Sequence, residues 1–253
     1  MSNPNLSLHG RIALLTGSGR GIGLGIAQAL AAAGAAVAIQ DLDLDVARLE
    51  AGKINKSGGR AIAISGDIRD VDHTPAWIDQ AVEQLGGLHI LVNNAAIQSN
   101  QPWTDVTVAL MNEQFRANLF TPIVLSQRAV SIFKPQRWGR ILNVGSIQQL
   151  RGVSSMLPYS LTKSALGTLT KALARETVKD GITVNLLAPG FFRTLRNHKS
   201  FETEEKAKHA GDWVPMGRPG EPEDCAGMAL LLCSDAGSYI TGQSIFIDGG
   251  MSA

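Results

Sequence analysis

Tyr159 and Lys163 stand four residues apart, so on a helix their side chains share one face. A phenol with an ordinary pKa near 10 is a poor base at neutral pH, but a neighbouring ammonium favours the phenolate. Tyr159 is therefore a candidate general base for removing a hydroxyl proton. Pro158 precedes it, and the first turn of a helix is where proline is favoured. Tyrosine and lysine also meet by chance on many exposed helices, so the pair needs company. Ser146 supplies some: it follows the apolar run Arg140 to Val144, where a hydroxyl could hydrogen-bond a substrate oxygen. A simple turn serine would look the same.

A second constellation lies near the start. Thr16-Gly17-Ser18-Gly19-Arg20-Gly21-Ile22-Gly23 follows an apolar run and opens a helix-forming one. A pyrophosphate at a helix N-terminus needs backbone N–H donors and close approach, which side chains would block. The glycines fall at 17, 19, 21 and 23, which is not the G-x-G-x-x-G spacing. Asp41 ends the second apolar run, where an acid would accept hydrogen bonds from the adenosine ribose hydroxyls. Arg20 pulls the other way, because a base in the loop could attract the extra phosphate of NADP. A carboxylate about 4 Å from that phosphate costs on the order of 4 kcal/mol per unit charge at an effective dielectric of 20. Asp41 outweighs the flexible Arg20, and NAD is favoured over NADP.

These residues need a scaffold, and the chain alternates strand and helix throughout. Apolar, strand-like runs occur at 12–16, 36–39, 61–65, 89–92, 140–144, 183–187 and 243–247. Helical stretches separate them: Arg20 to Ala33, Leu44 to Lys56, Pro75 to Gln84, one or two helices from Leu110 to Phe133, and Pro158 to Lys179. Near-continuous apolar strands between helices predict an α/β, doubly wound, Rossmann-type fold: a seven-stranded parallel sheet covered on both faces, in a single domain spanning 1–253. The segment 193–216 is polar and weakly periodic, as expected of a lid or loop. Lys plus Arg number 23 against 22 acids, and that balance lacks the basic excess of a nucleic-acid binder. No apolar run reaches the roughly 18 residues that span a bilayer, and the first residues lack a signal-peptide pattern. A cytoplasmic protein with no membrane partner is expected. Cys225 and Cys233 fall eight residues apart in a helix-like segment, too far for a disulfide, and the five histidines show no metal-ligand spacing.

Taken together, the motifs resemble those of the short-chain dehydrogenase/reductase (SDR) family over nearly the whole chain. Carrying the resemblance are T-G-x-x-x-G-x-G at Thr16 to Gly23, Asp67, Asn93-Asn94-Ala95-Ala96, Asn118, Ser146, Tyr159 with Lys163, and Pro189-Gly190 with Thr194. Ile240-Thr241-Gly242-Gln243 and Asp248-Gly249-Gly250 complete the series. The resemblance implies that Tyr159 is the acid/base and Ser146 orients the substrate oxygen. It further implies that Lys163 lowers the tyrosine pKa and binds the nicotinamide ribose, and that Asn118 holds a water in a proton relay. The implied cofactor contacts are Gly17, Ser18, Gly19, Arg20, Gly21, Ile22 and Gly23 of the loop, then Asp41 and Leu42. Asp67 and Ile68 would meet adenine, Asn94 and Ala95 the adenosine side, and Thr194 the carboxamide, with Pro189, Gly190 and Phe192 beside it. Two positions depart from the pattern: the usual N-N-A-G ends in Ala96, and Gly145 stands where many relatives carry a second serine.

The chain reads as an enzyme that transfers a hydride between NAD and a secondary alcohol or ketone. Gln148, Gln149 and Arg151 follow Ser146, and the lid opens with Arg193, Arg196, His198 and Lys199 before any acid. Such donors suit a sugar, polyol or sugar acid, with Ser146, Gln148, Arg193 and Arg196 as expected substrate contacts. A solvated loop surface would show the same charges. An NADPH-dependent 3-oxoacyl-thioester reductase is the alternative, and a non-catalytic NAD-binding regulator is the alternative of another class. A homotetramer is expected from the resemblance, with contacts through Pro158 to Lys179 and Gly237 to Ala253.

Overall fold

The apolar runs become seven strands: β1 (Ile12–Thr16), β2 (Ala36–Asp41), β3 (Arg60–Ser65), β4 (Ile90–Asn93), β5 (Gly139–Val144), β6 (Ile182–Pro189) and β7 (Ser244–Ile247). In the computed structural model, which describes residues 6–253, they form one all-parallel sheet in the order β3-β2-β1-β4-β5-β6-β7. The order reverses direction between β1 and β4, the switch point at which such sheets open a crevice at their carboxyl ends.

Nine helices are described: α1 (Gly21–Ala32), α2 (Leu44–Lys56), α3 (Pro75–Leu85), α4 (Val108–Phe115), α5 (Thr121–Gln136), α6 (Gln148–Arg151), α7 (Leu157–Thr177), α8 (Glu204–Asp212) and α9 (Pro222–Cys233). They cover both faces, and the period-two alternation of the strands divides the core accordingly. Leu15, Val37, Val92 and Leu187 pack with Ile26 and Leu30 of α1 and Leu232 of α9. Leu14, Ala38, Leu91 and Val184 point the other way, onto Ile78 of α3 and Phe133 of α5. Every residue of β1, β2, β4, β5 and β6 is buried, which explains why these strands read as unbroken apolar runs. Among the described residues no helix is long and apolar enough to cross a membrane.

Two segments carry structure beyond the sequence expectation. The stretch expected as one or two helices is α4 and α5 joined by a π-helical turn, Arg116–Phe120, with Asn118 inside it. The segment expected as a loop contains a 3-10 run, Leu195–Phe201, and the helix α8. Thr203 caps α8 by accepting the Lys206 N–H at 3.2 Å. The apolar stripe of α8 is thin, and its strongest sequence signal was this single capping threonine.

At the amino edge of the sheet, Arg11 and Arg140 lie over the Trp138 ring, 3.7 Å and 4.1 Å from its centroid. The indole N–H donates to Asp235 at 2.8 Å. His89 meets Trp138 edge-on and accepts the Ile12 N–H on Nδ1 at 3.1 Å.

Candidate active site

The carboxyl ends of the strands border a cleft of about 970 Å³. One end is built by the glycine loop, which adopts its path because neighbouring strand ends hold it. Asn94, just past β4, donates from Nδ2 to the Thr16 and Gly17 carbonyls at 3.0 Å and 2.8 Å. The Asn94 and Ala95 N–H groups both donate to the Thr16 hydroxyl at 3.1 Å. From β2, Gln40 accepts the Gly17 N–H at 3.2 Å and Asp41 accepts the Gly19 N–H at 3.1 Å. Little space remains inside this stitching: a Cβ on Gly23 would come within 2.6 Å of the Gly17 carbonyl oxygen. Gly17 has a φ of +59°, a left-handed conformation that glycine adopts without strain.

The loop leads into α1, whose N-terminus has no side-chain cap and no acid in its first turn. Its unpaired N–H groups and positive dipole end suit a phosphate. A Cβ on Gly21 would meet only Thr194, at 3.6 Å, across the cleft. These features fit a dinucleotide, with Gly17, Arg20, Gly21, Ile22, Gly23, Asp41, Leu42, Asp67, Ile68, Asn94 and Ala95 on the walls. Asp41 is buried, and its second oxygen accepts the Asp43 N–H at 3.2 Å. Arg20 pairs with Asp43 at 3.4 Å, so the loop cation already has a counter-charge. Arg69 clasps Asp67 through both oxygens and holds its carboxyl below the usual range. Ser18 is turned inward, its hydroxyl donating to the Leu15 carbonyl at 2.7 Å, and Phe192 packs in the core.

Tyr159 and Lys163 project from the first turns of α7 at the other end, both buried and both on the cleft wall. The Lys163 ammonium donates to the Val144 carbonyl at 2.7 Å and lies 5.5 Å from the Tyr159 ring centroid. Burial, and secondly the charge of Arg196, bring its pKa down to about 7. Ser146 sits one residue beyond β5's neighbour Gly145, and its Oγ accepts the Gln148 N–H at 3.2 Å. Gln148 reaches the cleft wall, and its Oε1 is buried with no hydrogen-bond partner among the described residues. Asn118 stands behind the wall, its amide making three hydrogen bonds. Its Oδ1 accepts the Ile97 N–H and its Nδ2 donates to the Ile97 carbonyl, each at 2.8 Å, and to Thr162 at 3.2 Å.

The two departures from the family pattern are accommodated. A Cβ on Gly145 would come within 2.5 Å of Leu186 Cδ2 and 2.8 Å of Gln149 Oε1, so this chain has filled the place of a serine with other atoms. Ala96 needs no positive φ, and its carbonyl accepts Arg196.

The lid arginines separate. Arg196 lines the cleft, donating to the Ala96 carbonyl at 2.9 Å, with its guanidinium 5.8 Å from the Tyr159 ring centroid. Arg193, expected as a substrate contact, does not line the cleft. It pairs with Glu221 at 2.9 Å and lies over Phe201, because the chain leaving β6 bridges Phe192 to Gly220 and turns Arg193 toward that strand-like partner. Sequence reasoning missed Gln40, Gln98, Met156, His209, Trp213 and Met251, all on the cleft wall. None belongs to a spaced motif; only the tertiary path of the chain brings them there.

A family model described as Enoyl-(Acyl carrier protein) reductase matches residues 17–252. The 3-oxoacyl-[acyl-carrier-protein] reductase of Aquifex aeolicus is 34% identical over 248 residues, which are 97% of this chain and 99% of that protein. Among solved structures, a 3-oxoacyl (acyl-carrier-protein) reductase from Agrobacterium tumefaciens C58 with NADP bound superposes with a TM-score of 0.92 at 36% identity, covering 97% of this chain and 96% of the other. A gluconate 5-dehydrogenase from Burkholderia cenocepacia J2315, in complex with NADP and tartrate, gives a TM-score of 0.91 at 33% identity, covering 98% of each chain.

Proposed function

Because the chain belongs to the short-chain dehydrogenase/reductase family and is thereby an NAD(P)-dependent oxidoreductase of CH–OH groups, we propose that it transfers a hydride between NAD and the secondary alcohol or ketone of a sugar, polyol or sugar acid. The observation that carries this reading is the Tyr159–Lys163 pair on the wall of a cleft that also holds an uncapped helix N-terminus, with Ser146 two residues past β5. A nicotinamide cofactor, when bound, supplies the hydride acceptor or donor. Gly17, Gly21 and Gly23 and the first N–H groups of α1 would hold its pyrophosphate, and Lys163 its nicotinamide ribose. In the oxidative direction the Ser146 hydroxyl orients the substrate oxygen. The hydroxyl proton passes to the Tyr159 oxygen as the C–H electron pair leaves with its hydrogen, and the carbinol becomes a carbonyl. The Lys163 ammonium beside the ring favours the phenolate that this step requires.

Asp41 supports NAD, since a 2′-phosphate would meet its buried carboxylate; the NADP in the two solved relatives named above weighs on the other side. The 3-oxoacyl-thioester reductase reading draws on the description of the family model and on exposed Leu195 and Trp213 along the cleft. Homotetramer assembly is part of the proposal, and it is supported by the half-buried edge strand β7 and the fully exposed Tyr239 before it.

The deciding variant is Tyr159→Phe. It is expected to bind NADH with unchanged affinity, by fluorescence titration, and to lose turnover by roughly the 10²–10⁴-fold that a positioned acid/base contributes. Retention of most activity would overturn the mechanism.

A further inference from the structure

Away from the cofactor end, the titratable side chains on the cleft wall are Arg151, Tyr159, Lys163, Arg196, Lys199, Lys206 and His209, and among the described residues no carboxylate stands with them. Two acids line the cleft, Asp41 and Asp67, and both belong to the cofactor end, where N–H groups and Arg69 already engage them. Lys206 has its own counter-ion in Glu202 at 2.8 Å. Among the described residues Arg196 has none: its partners are the Ala96 carbonyl at 2.9 Å and the Gln98 amide oxygen at 3.4 Å, both neutral. Lys163 likewise bonds only a carbonyl oxygen. The Lys163 amine and the Arg196 guanidinium, the latter without a carboxylate partner among the described residues, thus flank one tyrosine ring, 5.5 Å and 5.8 Å from its centroid.

We infer that the substrate is an anion, a hydroxy acid of the sugar-acid class, and that Arg196 is the residue that reads its carboxylate. The inference rests on the reading of the site as a sugar-type dehydrogenase. A guanidinium fork matches a carboxylate through two parallel hydrogen bonds, a geometry that carbonyl oxygens cannot offer. The Ala96 carbonyl is then the resting partner of Arg196. In that position the side chain spans from the 3-10 run Leu195–Phe201 to the loop after β4, beside the Tyr159 ring. A substrate carboxylate entering beside the ring replaces a neutral acceptor with a charged one. A neutral polyol would leave the guanidinium uncompensated while displacing water from around it, which strengthens the imbalance.

The test uses matched pairs of aldonic acids and alditols: gluconate with sorbitol, galactonate with galactitol, and xylonate with xylitol. A short-chain 3-oxoacyl thioester is run in the reductive direction. Arg196→Gln keeps an amide donor for the Ala96 carbonyl and removes the charge, and Arg196→Lys keeps the charge without the fork. For the wild type, the best acid is expected to exceed its polyol at least 30-fold in kcat/KM, chiefly through KM. In Arg196→Gln that ratio should fall to about threefold or less, and Arg196→Lys should lie between. These factors are the size expected for hydrogen bonds to a charged group. Equal use of acid and polyol by the wild type, or a ratio that survives Arg196→Gln, would overturn this inference and leave the dehydrogenase reading standing. A thioester that outruns both series, or no turnover of either, would overturn both.

Discussion

Lys163 is an ammonium held in a dry place with a carbonyl oxygen as its hydrogen-bond acceptor. Its folded pKa, about 7, lies below the ordinary 10.5. Between those values the unfolded chain binds the extra proton, so its stability contribution is complete above 10.5 and is lost as pH falls to 7. Lys163→Met removes a cation that must otherwise be desolvated or discharged. The variant is expected to be inactive yet to melt higher, and its Tm advantage over the wild type should widen as pH falls from 10 to 7. For a chain of this size roughly 2–4 °C corresponds to each kcal/mol, so a differential scan resolves it. Asp41 also has two tasks, because its oxygens anchor Gly19 and Asp43 as well as facing the ribose end of the cleft. Asp41→Asn keeps an acceptor for the Gly19 N–H and removes the charge. It should raise the ratio of NADP to NAD kcat/KM by about 10-fold or more, given a repulsion of several kcal/mol at an effective dielectric of 20. Asp41→Ala should additionally weaken both cofactors.

The junction between β5 and α7 concentrates the chemistry into a few residues, and its packing is tight. Leu186 and Gln149 occupy the volume a side chain on Gly145 would need. Gly145→Ser is therefore expected to lower stability by about 1–3 kcal/mol through overpacking, read as a denaturant midpoint shift. It should also lower kcat by displacing the adjacent Ser146. Elements of this kind were legible in the sequence to different degrees. The buried strands announced themselves as apolar runs, and Tyr159, Lys163 and Ser146 stood out as candidates through the family resemblance and their places at a helix start and after a strand, since their spacing alone was weak. The π-helical turn around Asn118 was not legible, because one extra residue in a helical turn changes no residue type. Arg193 and Arg196 looked equivalent on the page, three positions apart in a charged segment. Their separation depends on the bridge from Phe192 to Gly220, a contact that no local pattern encodes.

Across the whole molecule, the two edges of the sheet do different work. The amino edge holds the stack of Arg11, Trp138 and Arg140, with His89 against it. Burial first, and then the charge of Arg11, push the His89 pKa below 6.5. Its Nδ1 accepts the Ile12 N–H, which requires an unprotonated nitrogen. The stability held by neutral His89 is thus complete above pH 6.5 and is lost as pH falls through its lowered folded value. The Tm of the wild type should drop between pH 6.5 and 5 by more than that of His89→Gln, whose amide can still accept the Ile12 N–H. At the carboxyl edge, Asn94, Gln40 and Asp41 hold the glycine loop in place through contacts that need no dinucleotide. The conformational entropy of ordering that loop is incurred while the chain folds, not when a nucleotide arrives. Association is left with the translational and rotational cost of docking, so it should proceed in one kinetic phase with a heat capacity change set by the surface covered rather than by any refolding of the loop.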